Sequence, residues 1–219
     1  MKDKRILLIL FLFTILFWSV NGCVDKNHPQ KSSIESSFLS QELLNSERIE
    51  MKFGSYGIEV IKSDSALRVS NLFSLHDNKK VTRTFAVVNY PEIVDSVFLN
   101  EHLLVLDGQS IGSVFKQSGW EIEKRNLFFG EISPSIDYSG VYKLMGDIDP
   151  TELAVYIYVF SISKDEQSFD YAIISEVYHH DYLTLNDLKK INQDANEYLD
   201  ETSVTQVLGL VKNEMKLSY

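Results

Sequence analysis

The chain has 219 residues, of which 44% are hydrophobic and 12% aromatic, and its formal net charge is −10. This length suits a single domain, and the apolar content is sufficient for a packed core. The excess of acidic side chains would be repelled by phosphate backbones, so the composition argues against nucleic-acid binding. Cys23 is the one cysteine, so no disulfide can form within the chain.

Residues 1–22 have the pattern of a signal peptide. Three basic side chains (Lys2, Lys4 and Arg5) precede an uninterrupted apolar run from Ile6 to Trp18. As a helix this run of about 13 residues would rise only about 20 Å, short of the roughly 30 Å of hydrocarbon that a membrane span must cross. A cleaved signal is therefore favoured over a permanent membrane span. Its removal takes away three basic residues and one acidic residue, which leaves a mature charge of −12.

The segment Val20-Asn21-Gly22-Cys23 resembles the lipobox of bacterial lipoproteins. The resemblance implies that Cys23 is lipidated and that the mature protein is held in the cell envelope by this anchor, facing the periplasm or the exterior. In an organism with two membranes, Val24 after the cysteine implies sorting to the outer membrane. Simple secretion after cleavage at Gly22 and an uncleaved anchor remain the alternatives. A covalent lipid would hold this acidic chain at a membrane.

A polar segment, residues 23–37, follows and is expected to be a tether, and residues 38–219 are expected to form one domain. A short helix is predicted to start near Ser37 or Ser40. Three β-rich stretches come next, at 58–61, 67–69 and 81–90, and the polar residues 76–80 are typical of the turn between the last two.

The clearest predicted element is a hairpin formed by residues 153–160 and 169–178. The first stretch is apolar on both alternating faces, which favours a strand covered on each side. The loop between the two stretches is too short for a parallel crossover, so an antiparallel pair is expected. Helices are predicted after Thr184, which has Asp187 three residues later, and after Thr202. The predicted fold class is α+β, a mainly antiparallel sheet with helices packed on it.

The pentapeptide Gly108-Gln109-Ser110-Ile111-Gly112 matches the G-x-S-x-G nucleophile elbow of α/β-hydrolases. Residues 103–106 could be the strand before the elbow, and residues 113–117 could begin the helix after it. His179 or His180 would then act as the base, with a downstream acid in the chain order Ser, acid, His. The competing interpretation is structural: the glycines shape a turn, and Ser110 caps the helix that follows.

The remaining chemistry-bearing residues are single side chains. His179 and His180 end a predicted strand and are expected to point to opposite faces, which argues against a shared metal ion. His102 is expected at the surface. Arg83 is expected to face solvent on an edge strand, or, if buried, to pair with Asp77 or Glu92. The sequence predicts neither a metal site nor a cofactor.

A second resemblance covers roughly residues 66–125. The segments 70–77, 82–88 and 108–112, followed by Gly119-Trp120, are similar to an ordered pattern in a group of uncharacterised proteobacterial envelope proteins. The resemblance supplies no catalytic residue. We therefore expect a non-enzymatic envelope lipoprotein that binds or assembles with a partner in the envelope. The alternative is a serine esterase acting on envelope acyl esters through Ser110.

Overall fold

The computed structural model describes residues 37–133, 138–146, 152–193 and 201–216. The signal segment, Cys23 and the tether up to residue 36 lie outside these ranges. The chain divides into two compact units, Met1–Ser37 and Phe38–Tyr219, and the sheet and its helices belong to the second. Within the described ranges, no helix has both the length and the hydropathy needed to cross a bilayer.

One six-stranded sheet, in the order β1-β2-β3-β6-β5-β4, organises this unit. All five neighbouring pairs are antiparallel. The predicted α+β class is therefore confirmed. The strands are β1 (Gly57–Ser63), β2 (Leu67–His76), β3 (Lys79–Asn89), β4 (Glu121–Ile132), β5 (Leu153–Lys164) and β6 (Gln167–Tyr178).

Two tight turns close the hairpins of the sheet. Asp77 and Asn78 join β2 to β3, with φ of 49° and 61°, and Asp165 and Glu166 join β5 to β6, with φ of 50° and 65°. Two consecutive left-handed residues give a backbone twist that matches the twist of the flanking strands. The predicted antiparallel pairing of β5 with β6 is confirmed, and the turn residues explain why these two strands meet in register.

Six α-helices are described in this part of the chain. They are α1 (Asn45–Phe53), α2 (Leu99–Leu106), α3 (Ile111–Gln117), α4 (Ser139–Leu144), α5 (Leu185–Ile191) and α6 (Glu201–Met215), and a 3₁₀ turn (Ser96–Phe98) precedes α2. The predicted capping box of α5 is present: the Asp187 N–H donates to the Thr184 hydroxyl, and the Thr184 N–H donates to the Asp187 carboxylate.

Two local predictions are wrong. Residues 39–44, where the helix predicted near Ser37 or Ser40 would lie, are not helical; Ser37 and Phe38 are helical, and the next helix, α1, begins at Asn45. The Glu47 carboxylate accepts from the Leu44 N–H at 2.9 Å and so caps α1 there. Residues 103–106, expected to be a strand, belong to α2. A short apolar run fits a strand and a buried helix equally well. Here His102 and Val105, three positions apart, form the buried side of a helix.

The sheet is covered on both faces, so the unit has three layers. We call the side that carries Tyr156, Tyr158 and Glu176 the cavity face; it is packed against α1, α2, α3 and α5. We call the other side the apolar face; it is packed against α4 and α6. The buried strand residues of the apolar face include Phe85, Val87, Leu153, Val155, Ile157 and Val177.

Candidate ligand-binding cavity

A cavity of about 850 Å³ lies on the cavity face, between the sheet and the helices α1, α3 and α5. This volume falls within the range of about 300–1,000 Å³ that is usual for small-molecule sites. Its apolar wall comes from Leu44, Trp120, Ile122, Leu188 and Ile191. Its floor is polar, because β4, β5 and β6 direct charged, amide and phenol side chains into it. This combination of an apolar wall and a polar floor is typical of a binding site.

Glu176 lies at the centre of the floor. On β6 it pairs directly with Tyr156 of β5 and with Ala86 of β3, which places it in the middle of the sheet. Its side chain is buried, with 5% of its surface exposed. One carboxylate oxygen accepts from Asn45 Nδ2 at 2.8 Å and the other from the Tyr178 hydroxyl at 2.6 Å. The carboxylate is therefore held rigidly by the protein.

Phenol side chains surround this carboxylate. Burial is the main cause that raises the pKa values of Tyr156, Tyr158 and Tyr178, and the charge of Glu176 raises them further. These three hydroxyls therefore stay neutral at physiological pH. As neutral phenols, they can donate hydrogen bonds to acceptor groups around them but cannot act as bases.

Two cations balance the carboxylate. Lys124, on β4, is half-buried, and burial lowers the pKa of its amine to about 8, while Glu176 opposes that shift. Its ammonium donates to the Leu43 carbonyl at 3.3 Å and lies 5.5 Å from the Tyr158 ring centroid. Arg48, on α1, is buried and donates to the carbonyl oxygens of Phe38 and Ser40. Arg48 thereby fixes the segment before α1, whereas Lys124 is the more adaptable cation.

Asn126 leaves one polar group of the floor without a partner. Its side chain is 4% exposed, and its Oδ1 accepts from the Tyr156 hydroxyl. Its Nδ2 has no hydrogen-bond partner among the described residues. A buried donor without a partner is uncommon, because it loses its hydration and gains no hydrogen bond in exchange. Asn126 is one of the residues that line the cavity.

The structural context that a nucleophile elbow requires is missing around Ser110. The residues before it form helix α2 rather than a strand, and all the pairs of the described sheet are antiparallel. Ser110 occupies the N-cap position of α3, although its hydroxyl makes no capping hydrogen bond. It lines a small cavity of about 60 Å³ that includes Tyr56, Arg68 and Glu176 but no histidine.

Both glycines of the pentapeptide have structural explanations. Gly108 follows α2 with φ of 105°, a conformation that side-chain-bearing residues rarely adopt. A Cβ at Gly112 would lie 2.7 Å from the Leu44 side chain. The buried guanidinium of Arg68 donates to the carbonyl oxygens of Val105 and Gln109 and so ties the end of α2 to the sheet. The pentapeptide is thus a helix-to-helix connection.

The expectation that His179 and His180 point to opposite faces is wrong. They follow the last residue of β6, where strand alternation no longer applies, and their rings stack with centroids 4.5 Å apart. With Asp181 they offer ligand atoms within 4.8 Å of one another. However, His179 Nδ1 accepts from the Asp181 N–H at 3.1 Å. A cation bound at this nitrogen would have to displace that hydrogen bond.

Two further single-residue expectations are wrong. His102 is buried, and its Nδ1 lies 2.9 Å from the Tyr171 hydroxyl. Arg83 is also buried, on a strand flanked by β2 and β6, at a position that the shifted β2–β3 register leaves unpaired. It donates to the Ser74 hydroxyl, and its guanidinium carbon lies 3.7 Å from the Phe53 ring centroid. Its partners are therefore these two side chains rather than Asp77 or Glu92.

The sequence analysis missed Glu176, Lys124 and Asn126, the residues of the floor. A signal for them existed. Lys124 and Asn126 stand two apart on one strand, and Glu176 is the one acidic residue in the second half of an apolar strand. Alternation places such residues on one face, but it does not show whether that face is buried or meets a cavity.

The fold and the cavity together define an α+β protein with an open antiparallel sheet and a polar-floored cavity on one face. Comparison of the sequence with models of known protein families gives no match, and comparison with curated proteins gives none either.

Proposed function

We propose that this protein is a lipid-anchored envelope lipoprotein with a non-enzymatic binding role, and that it holds a small ligand in the cavity above Glu176. The observation that carries the binding role is the cavity itself, about 850 Å³ in volume, with the buried Asn126 donor left without a partner. The lipobox-like segment that ends at Cys23 supports the anchor.

The arrangement of the described side chains favours binding over catalysis. Glu176 is engaged by two donors, and the tyrosine hydroxyls stay neutral. Catalysis by a serine would need a base and an oriented acid beside the hydroxyl, and no histidine lines the small cavity that contains Ser110. No observation favours the esterase alternative.

The anchor is tested with an alkyne fatty acid supplied to cells that express the full chain. We expect the wild-type protein to be labelled and membrane-bound, whereas Cys23→Ser is unlabelled and released. Labelling that persists in Cys23→Ser would overturn the lipoprotein proposal.

The binding role is tested by filling the cavity. Ile122 is half-buried and lines it, so Ile122→Trp should occupy the ligand space. Ile93 is 83% exposed and lies outside the cavity lining, which makes Ile93→Trp the matched control. Native mass spectrometry of full chains purified from their own envelopes should show a small-molecule adduct on the wild type and on Ile93→Trp, and none on Ile122→Trp. An adduct of equal abundance on all three, or on none, would contradict the proposal.

A further inference from the structure

On the floor of the cavity, hydrogen-bond acceptors have protein partners more often than hydrogen-bond donors do. Most acceptors are occupied: both Glu176 oxygens accept from protein donors, and the single hydrogen of the Tyr156 hydroxyl goes to Asn126 Oδ1, with Asn192 Oδ1 3.3 Å from the same hydroxyl oxygen. The donors are in surplus. Among the residues that the structure describes, Asn126 Nδ2 has no partner, and the Lys124 ammonium, which can donate three hydrogen bonds, makes one.

The two donors are neighbours on the same face of β4. Lys124 and Asn126 pair with Phe160 and Tyr158 of β5, so their side chains emerge two residues apart on the cavity face. Residues two apart on one side of a strand are about 6–7 Å apart at their Cα atoms. A single group with two acceptor atoms, such as a carboxylate or a phosphate, can therefore meet both side chains.

The charges on the floor favour the same kind of ligand. Glu176 is buried among Asn45 and Tyr178, and two cations, Arg48 and Lys124, accompany it. The cavity is also lined by the carboxylates of Glu42 and Glu123, but both residues are exposed, where water screens their charge. A hydrogen bond between an ammonium and an anion is stronger than one between neutral groups.

The remaining wall is apolar, so it favours an apolar group in the rest of the ligand. Trp120, Leu188 and Ile191 face the cavity opposite the polar floor. Water contacts with such a surface are unfavourable, and an aliphatic chain would replace them. The ligand should therefore carry an apolar portion as well as the anionic group.

We infer that the cavity binds an anionic amphiphile, whose carboxylate or phosphate group contacts Lys124 and Asn126 and whose apolar portion lies against Trp120, Leu188 and Ile191. This inference rests on the proposed function, because it names the ligand class of the same cavity. It assigns the specificity-determining contacts to two side chains of β4.

The test compares four probes with the same octyl chain: octanoate, octyl phosphate, octyltrimethylammonium and octanol. Calorimetric titrations use the full chain in nanodiscs of neutral lipid, with empty nanodiscs subtracted. We expect octanoate or octyl phosphate to bind at one site per chain, and octyltrimethylammonium and octanol to bind at least tenfold more weakly. The better of the two anions identifies the headgroup as carboxylate or phosphate.

Variants then locate the contacts. Lys124→Met keeps a chain of similar length without the charge, and Asn126→Asp keeps the shape while replacing the donor with an acceptor. Each should weaken binding of the preferred anion at least tenfold, whereas Lys124→Arg should retain most of it. Lys79 is exposed and outside the cavity, so Lys79→Met should bind as the wild type does. Unchanged urea midpoints would show that each variant is folded.

Two results would overturn the inference. One is octyltrimethylammonium or octanol binding as tightly as the anions, and the other is Lys124→Met and Asn126→Asp both binding the preferred anion unchanged. If either result is found but Ile122→Trp abolishes binding of the probe that the wild type binds, the cavity remains the binding site and only the ligand class is wrong. If no probe binds and the native protein carries no adduct, the inference and the proposed binding role fail together.

Discussion

The two faces of the sheet are built from the same strands but differ in chemistry. On the apolar face, Val155, Ile157 and Val177 are fully buried against α4 and α6. On the cavity face, the adjacent positions Tyr156 and Glu176 are also buried, but their polar atoms form a hydrogen-bonded floor under an open volume. The comparison indicates that one face is a packed apolar core, whereas the other holds buried polar groups beneath an open volume.

The largest effect is expected from removing the central carboxylate. Glu176→Ala leaves the Asn45 and Tyr178 donors without an acceptor and removes the negative charge that favours the protonated form of Lys124. Breaking a buried charge arrangement of this kind costs about 3–5 kcal/mol of unfolding free energy. Urea denaturation measures the loss. Glu59→Ala, which removes an exposed partner of Lys80, should cost no more than about 1 kcal/mol. Similar losses for both would show that Glu176 does not organise the floor.

A second pair of variants compares the faces at adjacent positions of β5. Ile157→Ala creates a cavity in the apolar core and should cost about 3 kcal/mol. Tyr156→Phe removes only a hydroxyl from the cavity face and should cost about 1 kcal/mol. The measurement is again the urea midpoint at a constant m-value. If Tyr156→Phe proved the more destabilising, the division of roles between the two faces would be wrong.

A third test concerns the pH dependence of stability. His179, directly after β6, is buried, with 3% of its surface exposed. Burial, followed by the nearby charges of His180 and Arg83, lowers its pKa to about 4, and Asp181 opposes them. The folded protein is therefore more stable with His179 neutral than with His179 protonated.

The direction of the change in stability with pH follows from the difference in proton binding between the unfolded and folded chains. An unfolded histidine titrates near a pKa of about 6.5, so below that pH the unfolded chain binds a proton that the folded chain resists. The stabilisation from neutral His179 is present above about pH 6.5 and falls by up to about 3 kcal/mol as the pH decreases towards 4. His179→Gln should flatten this part of the stability profile, and His76→Gln, at an exposed site, should not. A slope that persists in His179→Gln would assign the effect to other groups.

The smallest effect is expected at Ser110. A fluorophosphonate probe should label neither the wild-type chain nor Ser110→Ala. The substitution should change the unfolding free energy by no more than about 0.5 kcal/mol. The reason is that Ser110 makes no capping hydrogen bond and its surroundings include no histidine. Labelling that disappears in Ser110→Ala would restore the esterase alternative.

Much of the sheet could be predicted from the sequence. The apolar, β-branched and aromatic stretches 81–90, 153–160 and 169–178 correspond to β3, β5 and β6, and the short polar loop required an antiparallel pair. The capping box of Thr184 and Asp187 could be predicted as well, because its two residues are only three positions apart. These elements were predictable because strand alternation, turn composition and helix capping depend on residues close together in the chain.

The failures came where an environment is made by distant segments. His102 is buried against Tyr171, which is 69 positions away, and Arg83 is covered by the Phe53 ring. Residues 103–106 were ambiguous between strand and helix until the sheet gave α2 a surface to pack on. The strand end at Tyr178 is the one predicted, but His179 and His180 lie beyond it, where strand alternation no longer sets the direction of a side chain, and their rings stack.

By itself the sequence determined an antiparallel sheet, two of its hairpin turns and the start of α5, because short-range sterics and hydrogen bonding specify these. Only the tertiary structure showed that Lys124 and Asn126 share one side of β4 and that this side meets a cavity rather than solvent. The cavity requires α1, α3 and α5, from three separate parts of the chain, to cover the sheet above Glu176 without filling the space. Such packing depends on the shapes of all the layers at once, so no local pattern encodes it.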